Sequence, residues 1–401
     1  MGVKPQHKIP TINLSKRNLI SGTSSWLSTC DEIRQALEEY GCFLAIYDKV
    51  SPQLYESIFG EAKELFDLPT DIKMKNISDK PYFGYIGKHA LIPPLHESLG
   101  IANSTTLEAA QSFTNLMWPS SRNDHFCETV LSYARRVSEL EKMGVAEKYY
   151  DSHLGSTTFL LRLFKYRIPE INESDIGCSV HTDKSFLTIL HQNEVNGLEI
   201  ETKDGDWIGF EPLPSSFLVM AGDAFLAWSN GRIYSAPHRV VMSGTKPRYS
   251  LGLFSYHDGT IEIPHELIDE QHPLQFRSFD HYGLLNYFST APNAESTAKA
   301  YCGFSYLNPQ RLLYLSGILT NNFLAPTMVA NFLKTQITIN RVKIFVNANP
   351  NILNVFPNTR IIIEIVGLKD PRSSRSYLYH TLVLGGACPM PLIIDEDEPL
   401  E

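Results

Sequence analysis

The stretch "GCSVHTDKSFLTIL" (residues 177–190) places an imidazole and a carboxylate two residues apart, inside a run that otherwise predicts a buried strand. Residues i and i+2 of an extended chain project from the same face, so His181 and Asp183 can point into one cavity. A polar pair buried in a strand needs a partner to offset its desolvation. The rest of the chain must supply that partner if the pair has a function.

The segments that follow residue 157 favour a β-rich core around this pair. Short strand-like runs, such as "TTFLLRLFKYR", "SFLVMAGD" and "RYSLGLFSY", are separated by turn dipeptides, among them Asp204-Gly205 and Asn230-Gly231. Many short strands at this spacing predict a β-sandwich or jelly roll.

The N-terminal part of the chain is predicted to be helical. Asp31 is expected to cap one helix, with Gly41 as its C-terminal stop, and Ser51-Pro52 is expected to open a second. A third helix is expected from about Asp124 to Met143. Residues 81–120 are rich in Gly, Pro, Ser and aromatic residues, which is typical of long loops.

The composition argues against several classes of function. The 401 residues carry a formal net charge of −9 and no basic stripe, which argues against nucleic-acid binding. No apolar run reaches membrane-spanning length, and the N-terminus lacks the apolar core of a signal peptide. The six cysteines are scattered without metal-like spacing, so we interpret them as reduced thiols of a cytoplasmic protein.

A metal site needs a third ligand besides the His-x-Asp pair. Two imidazoles and one carboxylate on one face, with open positions opposite, form the arrangement that suits non-haem Fe(II). His191 would lie about 33 Å from His181 on a straight strand and cannot share the metal. His238, in "SAPHRVVMSG", opens a strand that can return antiparallel beside the first. The alternatives are a zinc hydrolase with the same ligands or, for the pair alone, a surface strand.

Arg248 and Ser250, in "KPRYSLGLF", again share one face of a predicted strand. A fixed guanidinium fork beside a hydroxyl is a receptor for a carboxylate. An arginine in an apolar run is costly without an anionic partner. That partner is either an internal carboxylate, for which Asp223 is the candidate, or the carboxylate of a ligand.

A single small molecule satisfies both predicted sites. 2-Oxoglutarate carries a 2-oxo acid that can chelate a metal at two open positions and a far carboxylate that needs a cation. The hydroxyl of Tyr166, in "LLRLFKYR", can add a hydrogen bond to that far carboxylate, although a lone tyrosine is more often part of the core.

The combined pattern resembles the plant 2-oxoglutarate- and Fe(II)-dependent dioxygenases. Their signature is His-x-Asp, a second histidine more than fifty residues on, and Arg-x-Ser ten residues after that histidine; it maps onto His181, Asp183, His238, Arg248 and Ser250. The phrases "EEYGCF", "KELFDLP", "QSFTNLMWP" and "RYSLGLFS" are most similar to the AOP-type branch, which is named for glucosinolate side-chain dioxygenases.

The resemblance implies an α+β fold, a distorted double-stranded β-helix (jelly roll) flanked by helices. It implies Fe(II) as the cofactor, 2-oxoglutarate and O2 as co-substrates, and ascorbate as a further candidate cofactor. The reaction expected is decarboxylation of 2-oxoglutarate to succinate and CO2, coupled to oxidation of a small plant specialised metabolite by a monomeric enzyme. The residues carried over are the metal ligands His181, Asp183 and His238, and the 2-oxoglutarate-binding residues Arg248, Ser250 and Tyr166.

The chain departs from the family pattern in three places. Phe164 stands where many relatives have asparagine, two residues before the Tyr166 position. The helix near residue 140 is shorter by about ten residues, or about three turns. The resemblance stops near Phe304, which divides the chain into a helical and loop region (1–120), the oxygenase core (121–304) and an unplaced extension (305–401). A catalytically impaired homologue is therefore the second reading.

Overall fold

The structure is a computed structural model that describes residues 8–15, 22–87, 95–141, 156–209, 212–290 and 297–303. All of these residues lie in the first of the two units into which the chain divides, Met1–Ser305. The shortened helical segment after residue 141 and the extension 305–401 lie outside the described residues. The domain boundaries expected from the sequence therefore stay predictions.

The described residues form a β-rich core with helices around it. The strands are β1 (Thr11–Asn13), β2 (Cys42–Ile46), β3 (His96–Ala102), β4 (Thr157–Tyr166), β5 (Ile176–His181), β6 (Leu187–Gln192), β7 (Leu198–Glu201), β8 (Trp207–Gly209), β9 (Ser216–Ala221), β10 (His238–Val241), β11 (Arg248–His257), β12 (Thr260–Ile261) and β13 (Phe279–Asp280). The α-helices are α1 (Ser24–Glu39), α2 (Pro52–Asp67), α3 (Thr70–Lys73), α4 (Leu107–Met117), α5 (Asp124–Ser138), α6 (Asp223–Trp228), α7 (His281–Thr290) and α8 (Ala298–Cys302).

Two sheets face each other across the core. The larger has the order β1-β2-β9-β6-β11-β4-β3 and the smaller the order β5-β10-β7-β8. Apolar side chains from both sheets share one buried cluster, for example Leu218 and Met220 from β9 with Leu198 from β7 and Val240 from β10. This sandwich, flanked by helices, confirms the predicted α+β jelly-roll class.

The helices cover the outer face of the larger sheet. Ile33 of α1, Leu65 of α2 and Val130 of α5 are buried in one cluster with Leu163 of β4 and Leu251 of β11. Side chains alternate across a strand, so the even-numbered residues of β4 and β11 face inward, towards the smaller sheet. The helices therefore leave the inner face free for a site.

The stretch at residues 177–190 does not form one straight strand. β5 ends at His181, and β6 belongs to the other sheet, so residues 182–186 cross between the two sheets. The straight strand on which the expected distance of 33 Å for His191 depended is therefore absent from this stretch. His191 is kept from the site for another reason, because it points to the outer face, where its ring stacks on Tyr133 with 6.1 Å between ring centroids.

Two predictions for the N-terminal region were wrong. Helix α1 begins seven residues before Asp31, because the side chain of Thr23 caps it by accepting a hydrogen bond from the Trp26 backbone N–H. Residues 81–120 are not only loops: they contain β3, which pairs along most of β4, and helix α4. Ser51-Pro52 does open α2, as predicted.

Gly41 ends α1 as predicted, and its conformation provides a test of the packing between α1 and the core. Its φ is +70°, and an added Cβ would lie 2.5 Å from the Tyr234 carbonyl oxygen. We expect Gly41→Ala to lower the free energy of unfolding by at least about 2 kcal/mol, because backbone strain adds to a clash with main chain. Gly205→Ala is the control, since Gly205 has φ +83° and open space around it, and should cost about 1 kcal/mol. Equal melting temperatures for the two variants would contradict the packing described.

Candidate active site

Two antiparallel strands of the smaller sheet bring the predicted metal ligands together. His181 is the last residue of β5 and His238 the first of β10, and the two are register partners. Asp183 follows β5 by two residues. The Nε2 atoms of both histidines lie 3.7 Å from Asp183 Oδ1, and the three candidate ligand atoms lie within 4.8 Å of one another. Within the described residues this is the one cluster of His, Cys, Asp and Glu with such spacing.

Hydrogen bonds to the backbone orient both imidazoles. The Nδ1 atom of His181 lies 2.8 Å from the Ser179 carbonyl oxygen, and Nδ1 of His238 lies 3.1 Å from the Ala236 carbonyl oxygen. A carbonyl only accepts, so each Nδ1 carries the proton and donates it. Each Nε2 is therefore the nitrogen that points at the shared position and can bind a metal in the neutral imidazole.

The Asp183 carboxylate is oriented by a residue from the opposite sheet. Thr188 Oγ1, on β6, donates a hydrogen bond of 2.6 Å to Asp183 Oδ2, and Thr188 in turn contacts Ser185 Oγ at 2.8 Å. Oδ1 is left facing the two imidazoles. Thr188 was not recognised from the sequence, because only the crossing between the sheets brings it beside Asp183.

Electrostatic interactions keep His238 and Asp183 in the protonation states that bind a metal. Burial lowers the pKa of His238, and the neighbouring His181 lowers it further, to about 4, so this imidazole is neutral at pH 7. Burial raises the pKa of Asp183, but His238 and His181 lower it more, so the group remains ionised. Burial also lowers the pKa of His181, but Cys178 and Asp183 raise it to about 9. A metal must therefore displace a proton from His181.

Two imidazoles and one carboxylate, with mutual distances short enough for one ion, fit Fe(II). The same donors would also suit zinc. The rest of the cavity decides between the two metals, since a zinc hydrolase has no need of a second charged subsite.

The predicted carboxylate receptor lies on the inner face of the larger sheet. Arg248 is 1% exposed; its Nη1 donates to Ser250 Oγ at 3.1 Å and its Nη2 donates to Gln192 Oε1 at 2.6 Å. The guanidinium carbon lies 5.2 Å from the centre of the Tyr166 ring. Arg248 Nε has no hydrogen-bond partner. Its two hydrogen-bond partners, Ser250 and Gln192, are neutral groups, so neither compensates the charge of the guanidinium.

Asp223 is not the partner of Arg248, so the prediction of Asp223 as an internal carboxylate partner was wrong. Its Oδ2 lies 2.8 Å from Lys184 Nζ, and its Oδ1 accepts a hydrogen bond of 2.7 Å from Ser235. Among the described residues no carboxylate lies within 4.0 Å of the Arg248 guanidinium. A buried cation without an anionic partner is costly, and a ligand carboxylate would compensate it.

One cavity between the sheets contains both subsites. The empty space between its walls, including the open space at its mouth, is about 430 Å³. All six site residues that the sequence predicts line this cavity: His181, Asp183, His238, Arg248, Ser250 and Tyr166. The other lining residues are Phe164, Cys178, Thr188, Leu190, Leu198, Met220, Val240 and Phe254. Phe164, which replaces the asparagine of many relatives, thus presents an apolar ring to the cavity.

Comparisons with known proteins agree with this geometry. The model of the 2OG-Fe(II) oxygenase superfamily matches residues 149–257, and the model of the N-terminal region of non-haem dioxygenases in morphine synthesis matches residues 9–121. The Arabidopsis thaliana "Probable 2-oxoglutarate-dependent dioxygenase AOP1.2" is 40% identical over 315 residues, which cover 74% of this chain and 96% of the relative. The chain belongs to the 2-oxoglutarate- and Fe(II)-dependent oxygenases. It is therefore an oxidoreductase that uses Fe(II) and 2-oxoglutarate.

Three further oxygenases are similar to this chain in sequence or in structure. An Arabidopsis thaliana protein named "Probable inactive 2-oxoglutarate-dependent dioxygenase AOP2" is 31% identical, with 74% of this chain and 98% of the relative covered. The crystal structure of the rice dioxygenase for auxin oxidation is 29% identical, with a TM-score of 0.61 over 74% of this chain and 100% of that chain. The Arabidopsis thaliana enzyme AtDAO1, in a binary complex with 2-oxoglutarate, is 28% identical, with a TM-score of 0.58 over 66% of this chain and 100% of that chain.

The contact between Thr188 and Asp183 can be tested by an isosteric substitution. Thr188→Val removes the hydroxyl that fixes the carboxylate, and we expect metal affinity to fall about 10- to 100-fold. The measurement is anaerobic Fe(II) titration followed by calorimetry. Thr114→Val is the matched control, because Thr114 is also buried but its hydroxyl donates to the Ala110 carbonyl oxygen within α4, away from the metal ligands. An unchanged affinity in Thr188→Val would show that Asp183 needs no such support.

The raised pKa of His181 predicts a pH dependence of metal binding. Below about pH 9 the proton on His181 competes with the metal, so affinity should increase about tenfold per pH unit between pH 6.5 and 8.5. Cys178→Ser removes the thiol that raises this pKa, so the increase should level off at a lower pH in that variant. The measurement is titration with Mn(II), which resists oxidation in air, and identical pH profiles for both proteins would disagree with this electrostatic account.

Proposed function

We propose that the protein is an Fe(II)- and 2-oxoglutarate-dependent oxygenase that hydroxylates or otherwise oxidises a small plant specialised metabolite. The observation that carries the proposal is a buried guanidinium with no carboxylate of the described residues within 4.0 Å, in the same cavity as two imidazoles and a carboxylate that could hold one metal ion. A cation and a metal site in one small cavity suit a ligand with an acid at one end and a chelating group at the other.

Each side chain has a defined role in this proposal. His181, Asp183 and His238 hold the Fe(II), and Thr188 keeps the carboxylate in place. Bound iron supplies the activation of O2 that couples the decarboxylation of 2-oxoglutarate, to succinate and CO2, to oxidation of a C–H bond. Arg248, Ser250 and Tyr166 bind the far carboxylate of 2-oxoglutarate. The apolar walls formed by Leu190, Leu198, Met220 and Val240 exclude water from the cavity.

Arg248 is well suited to bind 2-oxoglutarate tightly. Ser250 and Gln192 fix its two terminal nitrogens, so little side-chain freedom is lost when the ligand binds. The cavity is apolar on most sides, which strengthens the attraction between guanidinium and carboxylate. The burial of Arg248 also lowers its pKa, and an arriving carboxylate would stabilise the charged form.

The class of prime substrate is inferred from the cavity and the relatives. The walls are largely apolar, which fits a small and moderately apolar molecule. The relatives include dioxygenases for auxin oxidation, and the AOP-type proteins of Arabidopsis. We propose further that the enzyme works as a monomer in the cytoplasm, with ascorbate as a stimulating reductant. No helix of the described segments is long and apolar enough to cross a membrane.

A catalytically impaired homologue is the second candidate. One relative of this chain carries the name of an inactive dioxygenase, and the sequence predicts a shortened helix near residue 140. The zinc hydrolase is less consistent with the site, because it gives Arg248 and Ser250 no role.

Anaerobic titration with Fe(II) and 2-oxoglutarate tests the proposal directly. Chelation of Fe(II) by the 2-oxo acid gives a weak visible charge-transfer band, which Zn(II) cannot produce. We expect the band in the wild-type protein and its loss in His181→Ala, Asp183→Ala and His238→Ala. Absence of the band in the wild-type protein would count against the function proposed. A band without any turnover of candidate metabolites would favour the impaired homologue.

The receptor role of Arg248 has its own test. Arg248→Met removes the charge but keeps most of the volume, and 2-oxoglutarate binding should weaken by about 2–5 kcal/mol, the usual cost of removing one partner of a buried charge pair. Arg239→Met is the control, because Arg239 is paired with Glu199 at 2.8 Å outside the cavity. Equal 2-oxoglutarate affinities in the two variants would refute the role.

A further inference from the structure

A buried ion pair lies beside the metal ligands and has no role in the function described so far. Lys184 follows Asp183 in the segment that crosses between the sheets, and its Nζ lies 2.8 Å from Asp223 Oδ2. Both residues are buried. The cost of taking two charges out of water can equal or exceed their attraction, so a buried pair is weak evidence for stability. Its place next to the site therefore indicates a geometric role.

The ammonium of Lys184 closes a loop around Asp183. Besides the Asp223 carboxylate, it contacts the carbonyl oxygen and the hydroxyl of Thr182, both at 2.8 Å. Three acceptors match the three protons of an ammonium. Lys184 is therefore suited to hold the backbone rather than to bind a ligand, because its contacts tie together the residues on either side of Asp183.

Asp223 contacts both segments that carry metal ligands. Its backbone N–H donates to the Asp183 carbonyl oxygen at 2.8 Å. Its Oδ1 accepts a hydrogen bond of 2.7 Å from the hydroxyl of Ser235, which precedes His238 by three residues. The next residue, Ala236, supplies the carbonyl oxygen that orients the His238 imidazole. A single aspartate thus connects the turn at Asp183 with the chain that enters β10.

The far end of the crossing segment is held by other contacts. The backbone N–H of Phe186 donates to the Ser255 carbonyl oxygen at 2.8 Å, and the Phe186 carbonyl oxygen accepts from the Gly222 N–H at 3.0 Å. These hydrogen bonds do not involve the charges of the ion pair. Loss of the pair should therefore loosen the chain around Asp183 without unfolding the crossing.

We propose that Asp223 and Lys184 are positioning residues for the metal site, which fix the backbone at Asp183 relative to the chain that leads to His238. Thr188 orients the carboxylate of Asp183, and the ion pair holds the backbone from which that side chain projects. Neither partner touches metal or substrate in this role. The pair thus increases metal affinity rather than the stability of the fold, whichever metabolite the enzyme oxidises.

Neutral replacement of both partners separates these two effects. In Lys184→Met/Asp223→Asn the charges are removed together, so no uncompensated charge stays buried, and the melting temperature of the metal-free protein should change little. Mn(II) affinity, measured by calorimetry, should fall about tenfold or more, as is usual when a group that supports a metal ligand is lost. A Mn(II) affinity equal to that of the wild-type protein would overturn the proposal.

Lys73 and Glu97 provide a matched control pair. Lys73 is buried, and its Nζ lies 2.6 Å from Glu97 Oε1. Glu97 is in register with Lys165 on β4, so it faces the outer side of the larger sheet, away from the metal ligands. Lys73→Met/Glu97→Gln should keep the Mn(II) affinity of the wild-type protein. An equal loss of affinity in this control would mean that any change to a buried ion pair weakens the site, which would overturn the proposal.

Ser235→Ala decides the question if the double variant does not fold. It removes the hydrogen bond to Asp223 Oδ1 and leaves the ion pair in place. Mn(II) affinity should fall about three- to tenfold, the usual weight of one hydrogen bond. An unchanged affinity would overturn the proposal. A loss of binding that only follows a loss of folded protein, seen by circular dichroism at the same temperature, would assign these contacts to the fold and would also overturn it.

Discussion

The pairing of β5 with β10 is the constraint on which the site depends. It places His181 opposite His238, with 4.3 Å between ring centroids, although the two residues are far apart in the sequence. The register shifts directly after His238, between that residue and Val240. A slip by one residue would turn one imidazole to the opposite face and leave Asp183 with a single nitrogen partner.

The larger sheet provides side chains that orient the metal ligand Asp183 and the guanidinium of Arg248. Thr188 reaches across to Asp183, and Gln192 and Ser250 hold Arg248. These residues come from two adjacent strands, β6 and β11, which pair with Ser250 opposite Gln192. The site is therefore divided between the sheets, with most ligand atoms on one and most orienting groups on the other. Its geometry depends on the packing between the sheets more than on any loop.

The sequence predicts the part of the site that depends on the alternation of side chains along a single strand. The i, i+2 rule places Arg248 and Ser250 on one face and relies on strand geometry alone, so it needs no tertiary information. It does not reveal that the chain leaves β5 after His181 and crosses to the other sheet. Thr188 and Gln192 were missed for that reason, because each contacts the site through a pairing between strands distant in sequence.

The errors at the N-terminus have a similar cause. A helix start depends on which side chain reaches a free backbone N–H, and both Thr23 and Asp31 are suitable residue types. β3 contains serine and glycine, which weaken a strand signal, yet Ser98 and Gly100 face Phe164 and Arg162 on β4. Gly100 is needed there because an added Cβ would lie 2.2 Å from the carbonyl oxygen of Phe83. A residue type that is typical of loops thus marks a close approach of two backbone segments, which the sequence does not reveal.

The surroundings of Arg248 indicate the kind of acid that it receives. Both of its terminal nitrogens are fixed by neutral acceptors, and Ser250 and Tyr166 stand beside it with further hydroxyls. These surroundings favour a short, strongly hydrated acid whose other end can chelate a metal, because polar groups compensate its desolvation. The neighbours of a buried cation therefore select its ligand as much as its charge does.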